Sequence, residues 1–168
     1  GEVLLTDVDV LFWGLVGAAV VASALWDARR TKAPLVPRPP LQRALVRATG
    51  ADFVVANGEN ATGGFGIAAA ELERILDAGV DVVTSGNHVW EKKGFAELLE
   101  SEERLVRPAN YPEGAPGRGS VLVEKSGVRW LVCNLQGRER MRAIDCPFRA
   151  GEKLAAAGAE AGAVVLVD

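Results

Sequence analysis

The stretch that decides the fold is Phe53-Val-Val-Ala-Asn-Gly-Glu-Asn-Ala-Thr-Gly-Gly-Phe-Gly66. Its first four residues are apolar and predict a buried strand. The strand runs into a loop in which a carboxylate, Glu59, stands beside a carboxamide, Asn60. Three glycines of this loop would let the backbone approach a bound phosphate closely: Gly63, Gly64 and Gly66. The stretch therefore predicts a strand that delivers polar side chains to a phosphate-binding loop.

A second stretch repeats this design about 25 residues further along the chain. Residues 80–84 predict another buried strand, and Ser85-Gly-Asn-His88 follows it directly. An Asn-Gly-Glu alone is most often a surface turn, and a single histidine is often a capping or core residue. Two neighbouring parallel strands, however, end at the same edge of a sheet, where ligands bind in open α/β folds. Together the two strand ends indicate an active site.

Oxygen and imidazole groups at these strand ends suit a phosphate-transfer site. The Glu59 carboxylate and the Asn60 and Asn87 carbonyl oxygens are ligands that suit divalent ions of the magnesium, manganese and iron group. A pair of such ions can hold a phosphate and activate a water for in-line attack. His88 is placed to protonate the leaving oxygen or to stabilise phosphoryl charge.

The length, composition and net charge of the chain limit the classes of protein to which it can belong. Its 168 residues fit one domain, and a composition of 49% hydrophobic residues is ordinary for a globular protein. A net charge of -3 without a basic stripe argues against a surface for nucleic-acid polymers. Two separated cysteines indicate reduced thiols. His88 is the single histidine, so this chain alone cannot form a histidine-rich metal site.

Apolar periodicity and glycine stops predict the elements that surround the two strand ends. Strand and helix alternate between residues 41 and 90, which predicts a mainly parallel sheet with a hairpin added later in the chain. The predicted helices cover residues 41–49, 68–78, 91–99 and 150–160, and the predicted strands cover 52–56, 80–84, 120–124, 129–134 and 163–168. Residues 107–119 and 138–149 are predicted to be loops.

The first 40 residues differ in character from the rest and are predicted to form a divergent apolar segment with a proline-rich linker. Residues 10–26 form an apolar run of 17 residues, against the roughly 20 that a membrane helix needs. Three interpretations stay open: a strand followed by a buried helix, a membrane anchor, and a signal peptide. The last is least favoured because no basic segment precedes the run. Four prolines lie between residues 34 and 40, which excludes the interior of a helix there.

Five longer motifs resemble those of the YmdB-like branch of calcineurin-type metallophosphoesterases. The matching segments run over residues 52–66, 86–90, 107–119, 134–138 and 145–149. The resemblance covers residues 41–168, which are interpreted as the N-terminal part of a metallophosphoesterase domain. It implies a bacterial, cytoplasmic phosphodiesterase that hydrolyses cyclic nucleotides, such as 2′,3′-cyclic mononucleotides, within an α/β fold of the αββα sandwich type.

The resemblance also implies the composition of the site. Two divalent metal ions (Fe, Mn or Mg) would be bound, with Glu59 as the bridging ligand, Asn60 and Asn87 as further ligands, and His88 as the catalytic histidine. The small-molecule substrate would be a phosphodiester.

The sequence departs from the family pattern in two places. The family's first strand ends in an aspartate ligand; here Asp7 is a tentative equivalent, and the better match by identity puts Leu15 at that point. Three metal-binding histidines follow the equivalent of Asp168 in the family, and this chain has none of them. We interpret the chain as incomplete, with its C-terminal half missing, and expect weak metal binding and little activity.

The alternative interpretation is a non-catalytic remnant, or a binding protein tethered to a membrane through Val10–Trp26, that keeps the fold. An incomplete sheet exposes an edge and an apolar face, so a homo-oligomer is also expected to be accessible.

Overall fold

The computed structural model describes residues 46–168 in full and the backbone of residues 9–12 and 19–23. The tentative ligand Asp7, the proline-rich segment and most of the helix predicted over residues 41–49 lie outside the described residues. Residues 46–49 are helical, as predicted, and Gly50 follows with a positive φ of 60°.

The first sheet has five strands in the order β1-β2-β3-β4-β5. Strand β1 pairs antiparallel with β2, and every other pair is parallel. The mainly parallel sheet that the strand–helix alternation predicts is thus confirmed. Its strands are β1 (Asp9–Phe12), β2 (Ala19–Ser23), β3 (Phe53–Asn57), β4 (Val82–Thr84) and β5 (Leu105–Val106).

The apolar run of residues 10–26 contributes to two strands, so a buried helix, which belongs to one of the three interpretations left open, does not cover residues 19–23. Strand β2 lies beside β3 in parallel register, with Ser23 opposite Asn57. Val20 and Val21 are β-branched residues, which fit a pleated, paired surface. Of the helices in the described parts of the chain, none combines the length and the apolar character that crossing a bilayer requires.

The second sheet has the order β6-β7-β8, with β6 (Ser120–Lys125), β7 (Val128–Cys133) and β8 (Val164–Val167). Strands β6 and β7 form the predicted antiparallel hairpin, and β8 joins β7 in parallel. Ser126 and Gly127 form the turn with φ angles of 54° and 75°. Positive φ at both central residues matches the twist of the strands that the turn connects.

Three longer helices complete the described fold: α1 (Ala69–Asp77), α2 (Phe95–Ser101) and α3 (Pro147–Glu160). Helix α2 begins four residues later than predicted, because residues 91–94 form turns and Gly94, with a φ of 81°, precedes it. Helix α3 begins three residues earlier than predicted, so residues 147–149 are not loop. A proline fits the first turn of a helix because its missing N–H has no intrahelical partner there.

The elements stack in four layers. Helices α1 and α2 cover one face of the first sheet through residues such as Leu72, Phe95 and Leu99. The other face packs on the second sheet, where the rings of Phe53 and Trp130 stack with centroids 4.9 Å apart. Helix α3 covers the far side of the second sheet. There the close fit of Gly158 against Val165 and Leu131 leaves no room for a side chain. The layers form the αββα sandwich expected from the sequence.

Candidate functional site

The two polar strand ends meet, as the sequence predicts, at the carboxyl ends of β3 and β4. Gly58 continues the pairing beyond β3, because its N–H donates to the Thr84 carbonyl at 2.8 Å. A Cβ atom on Gly58 would lie 2.9 Å from side-chain atoms of both Ile67 and Val83. The absence of a side chain at Gly58 therefore allows the loop to leave the sheet while remaining close to β4.

The Glu59 carboxylate reaches across to the loop that follows β4. Its Oε1 accepts the backbone N–H of Asn87 at 2.5 Å and that of His88 at 3.4 Å. The carboxylate packs so closely on Gly86 that a Cβ atom there would overlap it. A glycine is thus needed at position 86 because a side chain would displace the Glu59 carboxylate, and not because the backbone has an unusual φ angle. This contact joins three of the predicted site residues directly.

A cluster of polar side chains lies behind Glu59 and ties the two sheets together. Asn57 Oδ1 accepts the Glu59 N–H at 2.9 Å, and Asn57 Nδ2 donates to the Asp168 carboxylate at 2.8 Å. Asn134 Nδ2 donates to the same carboxylate at 3.2 Å and to the Ser85 carbonyl at 3.0 Å. Asp168 follows β8, so it links the end of the second sheet to the backbone that presents Glu59. Sequence reasoning assigned no role to any of these residues except Glu59.

His88 lies in a turn at the mouth of the site, with its side chain 25% exposed. Its Nδ1 atom is buried and has no hydrogen-bond partner among the described residues. The nearest carboxylate oxygen recorded for it, on Glu91, is 3.9 Å away, which is too far for a hydrogen bond. The ring contacts Phe65 edge to face, with centroids 5.0 Å apart. His88 is therefore placed by packing and by a long ion-pair contact with Glu91, and its Nδ1 makes no hydrogen bond within the described residues.

The glycine-rich loop is held by hydrogen bonds and is not a plain flexible linker. The Thr62 N–H donates to the Gly66 carbonyl at 2.9 Å, and Thr62 Oγ1 accepts the N–H of Ala68 at 2.8 Å. The three glycines predicted to contact phosphate have φ angles between 67° and 85°, a region that side-chain-bearing residues avoid. A Cβ atom on Gly66 would also lie 2.9 Å from the His88 carbonyl oxygen. The loop therefore rests against the histidine turn.

Segment 107–119, one of the family-like motifs, surrounds a buried arginine. The Arg107 guanidinium donates to the carbonyls of Pro116, Pro108 and Ala115 at 2.8 to 3.1 Å. Burial lowers the pKa of Arg107 from the usual range of a guanidinium. Its five donors suit three convergent carbonyls, which a lysine cannot match in geometry.

Two further polar residues of this segment hold the next loop. Asn110 donates to the carbonyls of Gln136 at 2.8 Å and of Asp145 at 3.0 Å. The Tyr111 hydroxyl donates to Gln136 Oε1 at 2.9 Å, and the ring packs against Trp90. Burial raises the pKa of Tyr111, and the nearby Glu59 charge adds to that increase. These residues hold segment 107–119 against the loop that contains Gln136; the motif match indicated the segment but not these contacts.

The predicted metal ligands can be tested against the chemistry of the donors that the structure brings together. In residues 46–168, no group of three or more histidine, cysteine, aspartate or glutamate side chains is arranged to hold a metal ion. Of the predicted ligands, Glu59 carries a carboxylate, whereas Asn60 and Asn87 carry neutral amides. The Asp168 carboxylate is already engaged by Asn57 and Asn134. The described residues alone do not fit a complete two-metal centre.

Comparison with known families matches residues 41–168 to the family described as YmdB-like protein. The chain belongs to the YmdB-like family. It is 38% identical over 116 residues to a protein of Bacillus subtilis named 2′,3′-cyclic-nucleotide 2′-phosphodiesterase. That match covers 69% of this chain but 44% of the relative, so the chain spans less than half the length of this YmdB-like relative.

Solved structures agree with the fold. A crystal structure of a hypothetical protein from Thermus thermophilus has a TM-score of 0.63 and 42% identity, covering 69% of this chain and 45% of that one. A structure described as a novel phosphatase from Mycoplasma pneumoniae has the same TM-score and 28% identity, covering 71% and 46%. The YmdB-like chain thus has the metallophosphoesterase-type α/β fold in incomplete form.

Proposed function

We propose that this YmdB-like chain forms one side of a metal-dependent phosphodiesterase site that hydrolyses cyclic nucleotides. The observation that carries the proposal is the contact of the Glu59 carboxylate with the backbone of Asn87 and His88 across two strand ends. The name of the Bacillus subtilis relative supports cyclic nucleotides as the substrate class. The bound metal ions would activate the attacking water and neutralise phosphate charge.

The residues of this chain would bind and orient the substrate. Glu59, Asn60 and Asn87 would present oxygen ligands on one side of the site. The ordered glycine loop would place its backbone beside the phosphate, where N–H groups can donate to phosphate oxygens. His88 would donate a proton to the leaving oxygen, a role that suits a side chain near the surface whose Nδ1 has no hydrogen-bond partner among the described residues.

The alternative is a protein that keeps this fold and binds a ligand without chemistry. The specific observation in its favour is the donor set, since among the described residues no group of three or more histidine, cysteine, aspartate or glutamate side chains is arranged around Glu59 to hold a metal ion. A site with one carboxylate has too little negative charge to hold two divalent ions tightly. Under this alternative, the protein would bind nucleotides but would not hydrolyse them.

The first experiment measures the chain of 168 residues directly. Manganese affinity is measured by calorimetry, and hydrolysis of 2′,3′-cyclic AMP is measured with and without manganese. We expect weak binding and little turnover, because the described residues do not complete a metal centre. Turnover comparable to that of the Bacillus subtilis relative would contradict this expectation.

The second experiment separates the enzyme from the non-catalytic protein. The chain is fused to the part of the Bacillus subtilis relative that follows the matched region. We expect the fusion to gain manganese-dependent turnover and Glu59→Gln to abolish it, while Glu73→Gln on the exposed side of α1 leaves it unchanged. A fusion that folds, as judged by circular dichroism, and yet turns over no phosphodiester would reject the proposed activity.

A further inference from the structure

We propose that Phe65 is the platform on which the nucleobase of the substrate stacks; this inference rests on the proposed function and names its substrate contact. Phe65 is 56% exposed, although it lies within the sterically constrained glycine loop of the site. A large apolar side chain in such a place has more than half of its surface available to a ligand.

The loop fixes Phe65 in position relative to His88. The Phe65 N–H donates to the Thr62 carbonyl at 3.4 Å, and the Thr62 N–H donates to the Gly66 carbonyl at 2.9 Å. Gly64 and Gly66 flank Phe65 with φ angles of 85° and 68°, so the backbone turns sharply on both sides of it. A chain with this geometry presents its aromatic ring outward at a defined place.

Phe65 lies in direct contact with His88. The Phe65 and His88 rings contact at 88° with centroids 5.0 Å apart. In a nucleoside 2′,3′-cyclic phosphate, the phosphate and the base are attached to the same ribose. A phosphate that contacts His88 therefore leaves the base of the same molecule within reach of the Phe65 ring.

The chemistry of the platform suits a base better than it suits an aliphatic group. Every nucleobase has a π-face, and stacking on an aromatic side chain tolerates all four bases. Phe65 has no polar atom with which to distinguish them. In the neighbouring aromatic pair, Tyr111 packs on Trp90 and is hydrogen-bonded to Gln136, and Trp90 is 39% exposed, which is less than Phe65. The platform should therefore bind nucleotides as a class without strong preference for one base.

The test compares two ligands that differ only by the base, adenosine 5′-monophosphate and ribose 5-phosphate. Each is titrated with magnesium into the ¹⁵N-labelled chain of 168 residues, and the backbone amide shifts of residues 62–66 and 87–88 are followed. We expect the nucleotide to move these amides and to bind about tenfold more tightly than ribose 5-phosphate, as one stacked base contributes. Phe65→Ala should remove that difference, and Phe65→Trp should keep it.

A matched control is Phe148→Ala, which removes the same side chain from an 81% exposed position on α3. The control should bind the nucleotide as the wild type does. The platform is overturned if Phe65→Ala keeps the wild-type affinity, if both ligands bind equally, or if the nucleotide leaves these amides unmoved. It is also overturned if Phe65→Ala only dissociates an oligomer in sedimentation and leaves nucleotide affinity unchanged.

The platform and the proposed function fail in different ways. Nucleotide binding that depends on Phe65 without turnover in the fusion protein would retain the platform and reject the phosphodiesterase. Turnover of 2′,3′-cyclic AMP by a Phe65→Ala fusion with an unchanged KM would retain the phosphodiesterase and reject the platform.

Discussion

Replacing Gly86 by alanine tests the contact on which the site depends. The Cβ atom of the alanine would overlap the Glu59 carboxylate, lying 2.6 Å from Oε2 and closer still to the other carboxylate atoms. The backbone at Gly86 does not have the positive φ that would exclude alanine by itself. The substitution therefore acts through Glu59, whose side chain has to rotate out of the site.

The energy of this change follows from the bonds that are lost. Glu59 gives up a 2.5 Å bond from the Asn87 N–H and a longer one from His88. A hydrogen bond to a charged group contributes roughly 1.5–3 kcal/mol, and a bond as long as the one from His88 contributes little. Because Glu59 is only half-buried, water recovers part of the loss, and we expect destabilisation of about 2 kcal/mol. For a domain of this size that lowers Tm by about 4–8 °C.

Urea unfolding followed by circular dichroism measures this difference, and the Asn87 amide in a ¹H–¹⁵N spectrum reports the lost bond directly. Gly137→Ala is the matched control, because nothing lies within 4 Å of its Cβ position and its φ is not positive. The control should change the free energy of unfolding by less than about 0.5 kcal/mol. A Gly86→Ala protein as stable as the control, with an unmoved Asn87 amide, would refute the role assigned to this contact.

Three further measurements address other parts of the structure. Burial raises the pKa of the Cys133 thiol to about 11, whereas backbone N–H groups at the start of α3 lower the pKa of the accessible Cys146. Iodoacetamide at pH 8 should therefore alkylate only Cys146 in the folded protein, which peptide mass spectrometry checks; equal labelling would contradict this. Burial raises the pKa of Tyr111, the single tyrosine, so its absorbance should titrate above pH 10 in the folded protein and near 10 in urea. Because the pKa of Tyr111 is higher in the folded than in the unfolded protein, Tyr111 contributes stability below about pH 10, and this stability is lost as the pH rises through the folded pKa. If Tyr111 titrated at the same pH in both states, the tyrosine would not be buried in the folded protein. Asp168→Ala removes the acceptor of two asparagine amides and should lower the free energy of unfolding by about 2 kcal/mol, with Glu160→Ala as an exposed control; equal losses in urea unfolding would show that the cluster contributes nothing.

The strands and the site loop could be predicted because their signals are local. The apolar runs that became β3 and β4 are bounded by glycine and polar residues, and parallel strands bring their ends together. Pro147 was a readable signal for the start of α3, since proline favours the first turn of a helix. The run of residues 10–26 could not be assigned by periodicity, because a buried strand and a buried helix are both apolar throughout.

The cluster around Asp168 lay beyond sequence reasoning. Asn57 and Asp168 are 111 positions apart, and nothing in either residue's neighbours indicates the other. The three carbonyls that accept from Arg107 could not be predicted from the sequence for a similar reason, since they are backbone atoms that every residue carries. Contacts between distant residues and contacts made by backbone atoms produce no pattern in the composition or spacing of the sequence.

The outer edge of β8 has a practical consequence for anyone who handles this protein. Strand β8 pairs with β7 on one side, and no described strand pairs with the other side. Val164 and Val167 on this strand are 50% and 53% exposed, and no lysine or proline interrupts residues 163–167. An uninterrupted, apolar strand edge is a template for strand addition between molecules. Solubility at millimolar concentration should therefore be limited by this strand, and a lysine at Val167 is the simplest change for improving samples.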